Sequence, residues 1–247
     1  MKIQKNQLYY AIIAFILFTY ALFYLLPAET YIYIAKEDSY FENGTALLFL
    51  VISILFLVLF FRIDMFRKEE DKLYFSSYTK RIFFLLFALM FFVFFGEEIS
   101  WGQRIFGFET PEAIKVRNMQ NEFNFHNIDV FHHWDSGKEF KKGIKSFITA
   151  KRIFIYTFVL YLFLLPFLVN RSDLFRRLAK WFYLPIPLIG LGYLFVFNLV
   201  IYNIFKWNYG YIKTVRVMGE VEEFNFALVL LLLPFIWLKL PSKQPAQ

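Results

Sequence analysis

The chain has 247 residues, 59% of them hydrophobic and 23% aromatic, with a formal net charge of +7. Its mean hydropathy is +0.48, and its apolar runs are long and nearly unbroken, which excludes an ordinary soluble domain built from amphipathic elements. The lack of cysteine excludes a disulfide framework, a thiolate nucleophile and a Cys metal site, while positive charges clustered between apolar runs argue against a nucleic-acid partner.

A bilayer crossing needs about 20 mostly apolar residues. Six segments meet or approach that, at roughly 7–27, 45–62, 82–101, 152–169, 183–205 and 222–240. The first follows Lys2 and Lys5, and its apolar stretch is too long for the core of a cleaved signal peptide, so it is expected to remain as a span. The connection after the second span, "RIDMFRKEEDKLYFSSYTKR", and the one after the fourth, "NRSDLFRRLAKW", are rich in Lys and Arg. The first connection, "AETYIYIAKEDSYFENG", is mainly acidic. Positive charge marks the cytoplasmic side. The expectation is therefore one polytopic domain over 1–247 in a cell inner membrane, with both termini cytoplasmic and residues 102–151 forming an extracytoplasmic connection. The basic run "KEFKKGIKSFITAKR" would lie outside against that rule, which long loops obey only weakly. The fold class is all-α, with about six transmembrane helices and short interfacial helices in the long connection. One of these is "ETPEAIKVRNMQ", with Thr110 as N-cap and Pro111 at the first helical position.

The third span is peculiar. Its clean apolar run, Ile82 to Phe95, covers only about 21 Å at 1.5 Å per residue, short of a hydrocarbon core of about 30 Å. A helix carried on to Trp101 would complete the crossing and leave Glu97 and Glu98 about 5–7 Å inside the outer hydrocarbon boundary. An intramembrane acid is a functional-site candidate by default. On such a helix Glu97, Ser100, Trp101 and Arg104 share a face, with Glu98 about a quarter turn away. Other spans place polar groups at the same depth. Asn198, Tyr202 and Asn203 fall in the outer half of the fifth, and Glu220, Glu223 and Asn225 near the outer end of the sixth. Glu220, Glu222 and Glu223 also fit a solvated helix start favoured by the helix dipole.

All three histidines, His126, His132 and His133, lie in the long connection with Asp129 and Asp135 nearby. Nitrogen and carboxylate ligands suit zinc and similar metals, so a divalent metal is a possible cofactor, although the spacing matches no metal motif. His126 is the stronger candidate, because "NEFNFHN" surrounds it with amides and a carboxylate able to fix its tautomer.

The stretch "GEEISWGQRIFGFETPEAI", followed by "NMQNEFNFHN", resembles the signature of a family of bacterial multi-pass membrane proteins. That signature is a Gly-Glu-Glu-Ile-Ser-Trp-Gly-Gln-Arg block, then Glu-Thr-Pro, then an Asn-x-Gln-x-Glu segment closing on His-Asn, and the match runs from Gly96 to Asn127. The resemblance implies a bacterial integral membrane protein and supplies no reaction. Intramembrane CAAX-type proteases are more loosely similar, with a double glutamate followed by an arginine. There three residues intervene, whereas Arg104 follows after Ile99 to Gln103, and no later span here carries a histidine.

Three functions fit these residues. The first is a membrane-embedded hydrolase or transferase acting on a lipid or lipid-linked substrate at the outer leaflet. Glu97, Glu98 and His126 would be its catalytic groups, and Arg104, Trp101, Gln103, Asn127, Tyr202 and Glu223 would bind substrate. The second is a proton-coupled transporter of a small molecule, in which Glu97 or Glu98 carries the proton. The third is a non-catalytic membrane subunit whose carboxylates form ion pairs with Arg104, Arg117 or Arg216.

Overall fold

The computed structural model describes residues 5–36, 38–62, 81–132, 141–209 and 217–238. Every regular element among them is helical, apart from one isolated bridge between Asn118 and Ile128. Five helices are long and apolar enough to cross a membrane, and a sixth crossing results if one bent pair is counted as a single span.

Helix α1 (Lys5–Leu25) is followed by a short α2 (Ala28–Ala35) and then by α3 (Tyr40–Arg62). Helix α4 (Arg81–Glu98) returns beside α3, and the Ser53 hydroxyl donates 2.8 Å to the Ala88 carbonyl between them. The expected continuation of α4 to Trp101 does not occur. The chain breaks after Glu98 and turns by 66° into a short segment that includes α5 (Gln103–Phe106). Ser100, Trp101 and Gly102 all have positive φ, at 47°, 53° and 81°. Two successive non-glycine residues in the left-handed region each cost roughly 1–2 kcal/mol, so the tertiary contacts described below must hold them there. The single face expected for Glu97, Ser100, Trp101 and Arg104 is thereby lost.

In the long connection, α6 (Glu112–Lys115) is shorter than expected and its N-cap is Pro111, not Thr110. The Thr110 hydroxyl is used instead to donate to the Asn121 carbonyl at 2.8 Å. The next long apolar helix is continuous from Ala150 to Arg171, as α7 (Ala150–Val159), a π turn over Leu160–Leu164, and α8 (Leu165–Arg171). Pro166 explains the π turn, because it has no N–H to return to Leu162 and would clash in a regular helix. The Leu162 carbonyl instead lies against Gly192, where a Cβ would come within 2.5 Å of its oxygen. Helix α9 (Asp173–Trp181) replaces what the sequence presents as a plain basic connection. Helix α10 (Ile189–Tyr209) begins later than expected, because Pro185 and Pro187 keep the preceding backbone extended. Helix α11 (Met218–Leu238) begins earlier and so brings Glu220, Glu222 and Glu223 inside the helix.

The core runs through α1, α3, α4, α7, α10 and α11 and is largely aromatic. Phe56 stacks on Phe91 with centroids 5.8 Å apart, and Phe195 stacks on Phe226 at 4.2 Å. Leu17, Ile54, Leu86 and Tyr193, well inside their helices, face outward and exposed, as lipid-facing side chains do. The bundle has two distinct ends. At one, the loop end, α4 stops, α7 and α11 start, and residues 99–132 fold over. At the other, Tyr9 of α1 meets Gly190 of α10 near the start of each helix.

A candidate site at the loop end

Two distant sequence segments interlock at the loop end. Gly96 permits the first step, since a Cβ there would lie 2.9 Å from the Trp101 ring that folds back across the helix terminus. From that position the Trp101 indole N–H donates to Glu97 Oε1 at 2.7 Å. The other carboxylate oxygen, Oε2, accepts the backbone N–H groups of Phe125 and His126 at 2.7 and 2.9 Å, and stands 3.3 Å from His126 Nδ1. Glu97 therefore anchors the loop as well as orienting the imidazole. With the Nδ1–H directed at the carboxylate, the tautomer leaves Nε2 as an acceptor. Nε2 bonds to no described residue, and the side chain is 38% exposed.

The same interlocking repeats around Ser100 and Gln103. The Ser100 hydroxyl donates to Glu122 Oε2 at 2.6 Å, and Asn124 Nδ2 donates to both of them. Gln103 accepts the Phe123 N–H at 2.7 Å and donates to the Thr110 hydroxyl at 2.8 Å. Within the loop the buried Asn118 side chain accepts the N–H groups of Gln120 and Glu122 and donates to Asn124, while Asn127 donates to Gln120. These contacts pin the left-handed residues, because a relaxed helix would withdraw Ser100 and Trp101 from their partners. Arg104 turns away from Glu97 and lies among Asp38, Glu42 and Glu122. Three carboxylates already surround the guanidinium, so a substrate phosphate there would add a fourth negative group. Arg117 pairs with Asp129 at 3.2 Å.

A second polar layer lies within the bundle. Lys151, in the first turn of α7, places its ammonium 2.6 Å from Glu222 Oε2 and 3.0 Å from Glu223 Oε1. The Tyr202 ring lies 5.0 Å from the same ammonium. The Glu222 carbonyl accepts Asn198 Nδ2, and Asn198 Oδ1 accepts the Tyr20 hydroxyl, both at 2.9 Å. Asn225 Nδ2 donates to Thr19 at 2.9 Å. Glu222, Asn198 and Asn225 are fully buried, so Glu222 is no solvated helix start. A buried charge of this kind persists only because it is paired.

Glu98 differs from all of these. It is half-buried and makes no hydrogen bond or ion pair to another described residue, and the charges acting on it most strongly are those of the acids Glu223, Glu220, Glu42 and Glu97. Among the described residues, no group of three or more His, Asp or Glu could hold a metal ion. His133, Asp135 and Arg216 lie outside the described residues.

The expected residues thus fall into two groups. Glu97, Trp101, Gln103, Arg104, His126 and Asn127 belong to the loop clamp, and Tyr202 and Glu223 to the layer beneath it. Sequence reasoning passed over Lys151 and Glu122 as site residues, read Glu222 as a solvated helix start, and noted Ser100 only for sharing a face with Glu97. Lys151 sits in a run of surface lysines that hides it, whereas Glu222 and Asn225, three apart in one helix, carried a usable signal.

No family model, curated protein or solved structure matches the chain.

Proposed function

We propose that the protein is a multi-pass membrane enzyme of the bacterial inner membrane that hydrolyses or transfers a group on a lipid or lipid-linked substrate, with His126 as its general base. One observation carries this reading: Glu97 holds both the backbone N–H and Nδ1 of His126, and Nε2 is left open. A carboxylate in that position fixes the imidazole tautomer and stabilises the imidazolium formed when Nε2 takes a proton. The proton would come from water or a substrate hydroxyl as its oxygen attacks a carbonyl or phosphoryl centre. The imidazolium then returns the proton to the leaving group, so the protein ends unchanged. Glu98 is the second proton-handling group, because no described donor claims it. Six crossings, cytoplasmic termini and an outward-facing loop end belong to the same reading, supported by the basic connections at the far end.

A second reading, a non-catalytic subunit, draws on the pairing of Glu97, Arg104 and Lys151. Nε2 of His126 and the carboxylate of Glu98, neither with a partner among the described residues, separate the two. Proton-coupled transport is less well supported, since most of the polar groups, Glu97 to Arg104 and residues 118–127, gather at the loop end.

The test is turnover. Purified protein in vesicles of bacterial lipid extract is incubated, and the lipids are compared by mass spectrometry with those from His126→Ala. The expected result is a lipid product formed by the wild type and lost by about 10²–10⁴-fold in the variant, which should retain its melting temperature. Equal lipid profiles for the two proteins would refute the assignment.

A further inference from the structure

Helix α9 lies at the end opposite the site, between the far ends of α8 and α10. Ser172, extended at φ −134° and ψ 126°, breaks it from α8. Phe175 and Ala179 then fasten it back through a small apolar cluster with Val169, Ile186, Leu165 and Leu184. At about 100° per residue, Asp173, Arg176, Arg177 and Lys180 fall within about 100° of one another, and Leu174, Phe175, Leu178 and Trp181 occupy the other side. The apolar side is wider than the bundle can cover. Leu174, Trp181 and Phe182 remain 55%, 71% and 54% exposed. The one acid on the helix, Asp173, bonds to Arg176 at 2.7 Å. Arg171, Arg177 and Lys180 have no carboxylate partner among the described residues, and Arg62 and Arg81 end their helices on the same side of the bundle.

We infer that α9 lies in the membrane interface and docks on anionic phospholipid headgroups. The uncovered edge of Leu174, Trp181 and Phe182 enters the acyl boundary, and Arg176, Arg177 and Lys180 meet the phosphates above it. Charge complementarity selects this occupant. An exposed apolar edge alone would take any lipid, whereas three cations alongside it with one acid discriminate by headgroup charge. Trp181 stands where tryptophan is favoured, with its ring at headgroup depth.

The full chain is reconstituted in phosphatidylcholine vesicles containing phosphatidylglycerol, with bromine placed on the acyl chains of one lipid or the other. Quenching specific to Trp181 is the difference between wild type and Trp181→Phe. Brominated phosphatidylglycerol should quench it with a preference of about fivefold or more over brominated phosphatidylcholine at equal mole fraction. The triple change Arg176→Gln, Arg177→Gln, Lys180→Gln should bring the ratio close to one, and Arg176→Lys with Arg177→Lys should keep it, which separates charge from fold. Equal quenching in the wild type, a preference that survives the triple change, or no quenching by either lipid would overturn the proposal. So would displacement by millimolar inorganic phosphate, which would make the ligand a soluble anion.

Discussion

Replacing Glu97 and Glu98 in turn by Gln separates the clamp from the acid with no partner among the described residues, although the two neighbours are identical in type. In Glu97→Gln one oxygen still accepts from the Phe125 and His126 N–H groups, but the new amide N–H₂ then faces the Trp101 indole N–H, donor against donor. One 2.7 Å bond is lost and an indole donor is left unpaired in a part-buried site. The three remaining contacts, from the Phe125 and His126 N–H groups and His126 Nδ1, also pass from a charged to a neutral acceptor. An unsatisfied donor costs about 1–3 kcal/mol, so a loss of about 2 kcal/mol is the central expectation. At about 2–4 °C per kcal/mol for a chain of this size, the melting temperature should fall by about 4–8 °C. Glu98→Gln removes no bond to a described residue and takes one charge out of a group of carboxylates, so its melting should be unchanged or slightly higher. Intrinsic tryptophan fluorescence of the detergent-purified variants measures both. Equal losses for the two, or an unshifted Glu97→Gln, would show that the carboxylate does not hold the loop and would refute the clamp.

Gly192→Ala should destabilise by about 3 kcal/mol or more, since its Cβ meets the Leu162 backbone oxygen at 2.5 Å and neither helix can yield cheaply; the same melting assay checks it. Lys151→Met should cost about 3–5 kcal/mol by stranding the fully buried Glu222, and adding Glu222→Gln should recover part of that loss, which a double-mutant cycle reads directly. For orientation, single cysteines replacing Lys115 and Arg177 are treated in intact cells with an impermeant thiol reagent. Labelling is expected at position 115 and not at 177, and the reverse would invert the proposed topology.

Most spans were legible because a crossing demands some twenty apolar residues in a row, and that demand is written locally in stretches such as Leu8 to Leu26. Pro185 and Pro187 carried an equally local signal for a break before α10, although the span was expected to start at 183. Glu97 and His126 also stood out, one as an acid in an oily run and the other as a histidine among amides. What joins them did not. The bond that the His126 N–H donates to Glu97 forms where Ser100, Trp101 and Gly102 adopt positive φ. For serine and tryptophan that conformation is unfavourable alone, so no local rule predicts it, and contacts with Glu122 and Glu97 decide it. The choice of Glu222 over Glu223 as the fully buried partner of Lys151 likewise waited on the start and phase of α11. Sequence determines where apolar length must be buried; which polar side chain is then enclosed depends on neighbours from other helices, because a charge inside the bundle survives only where another part of the chain supplies its partner.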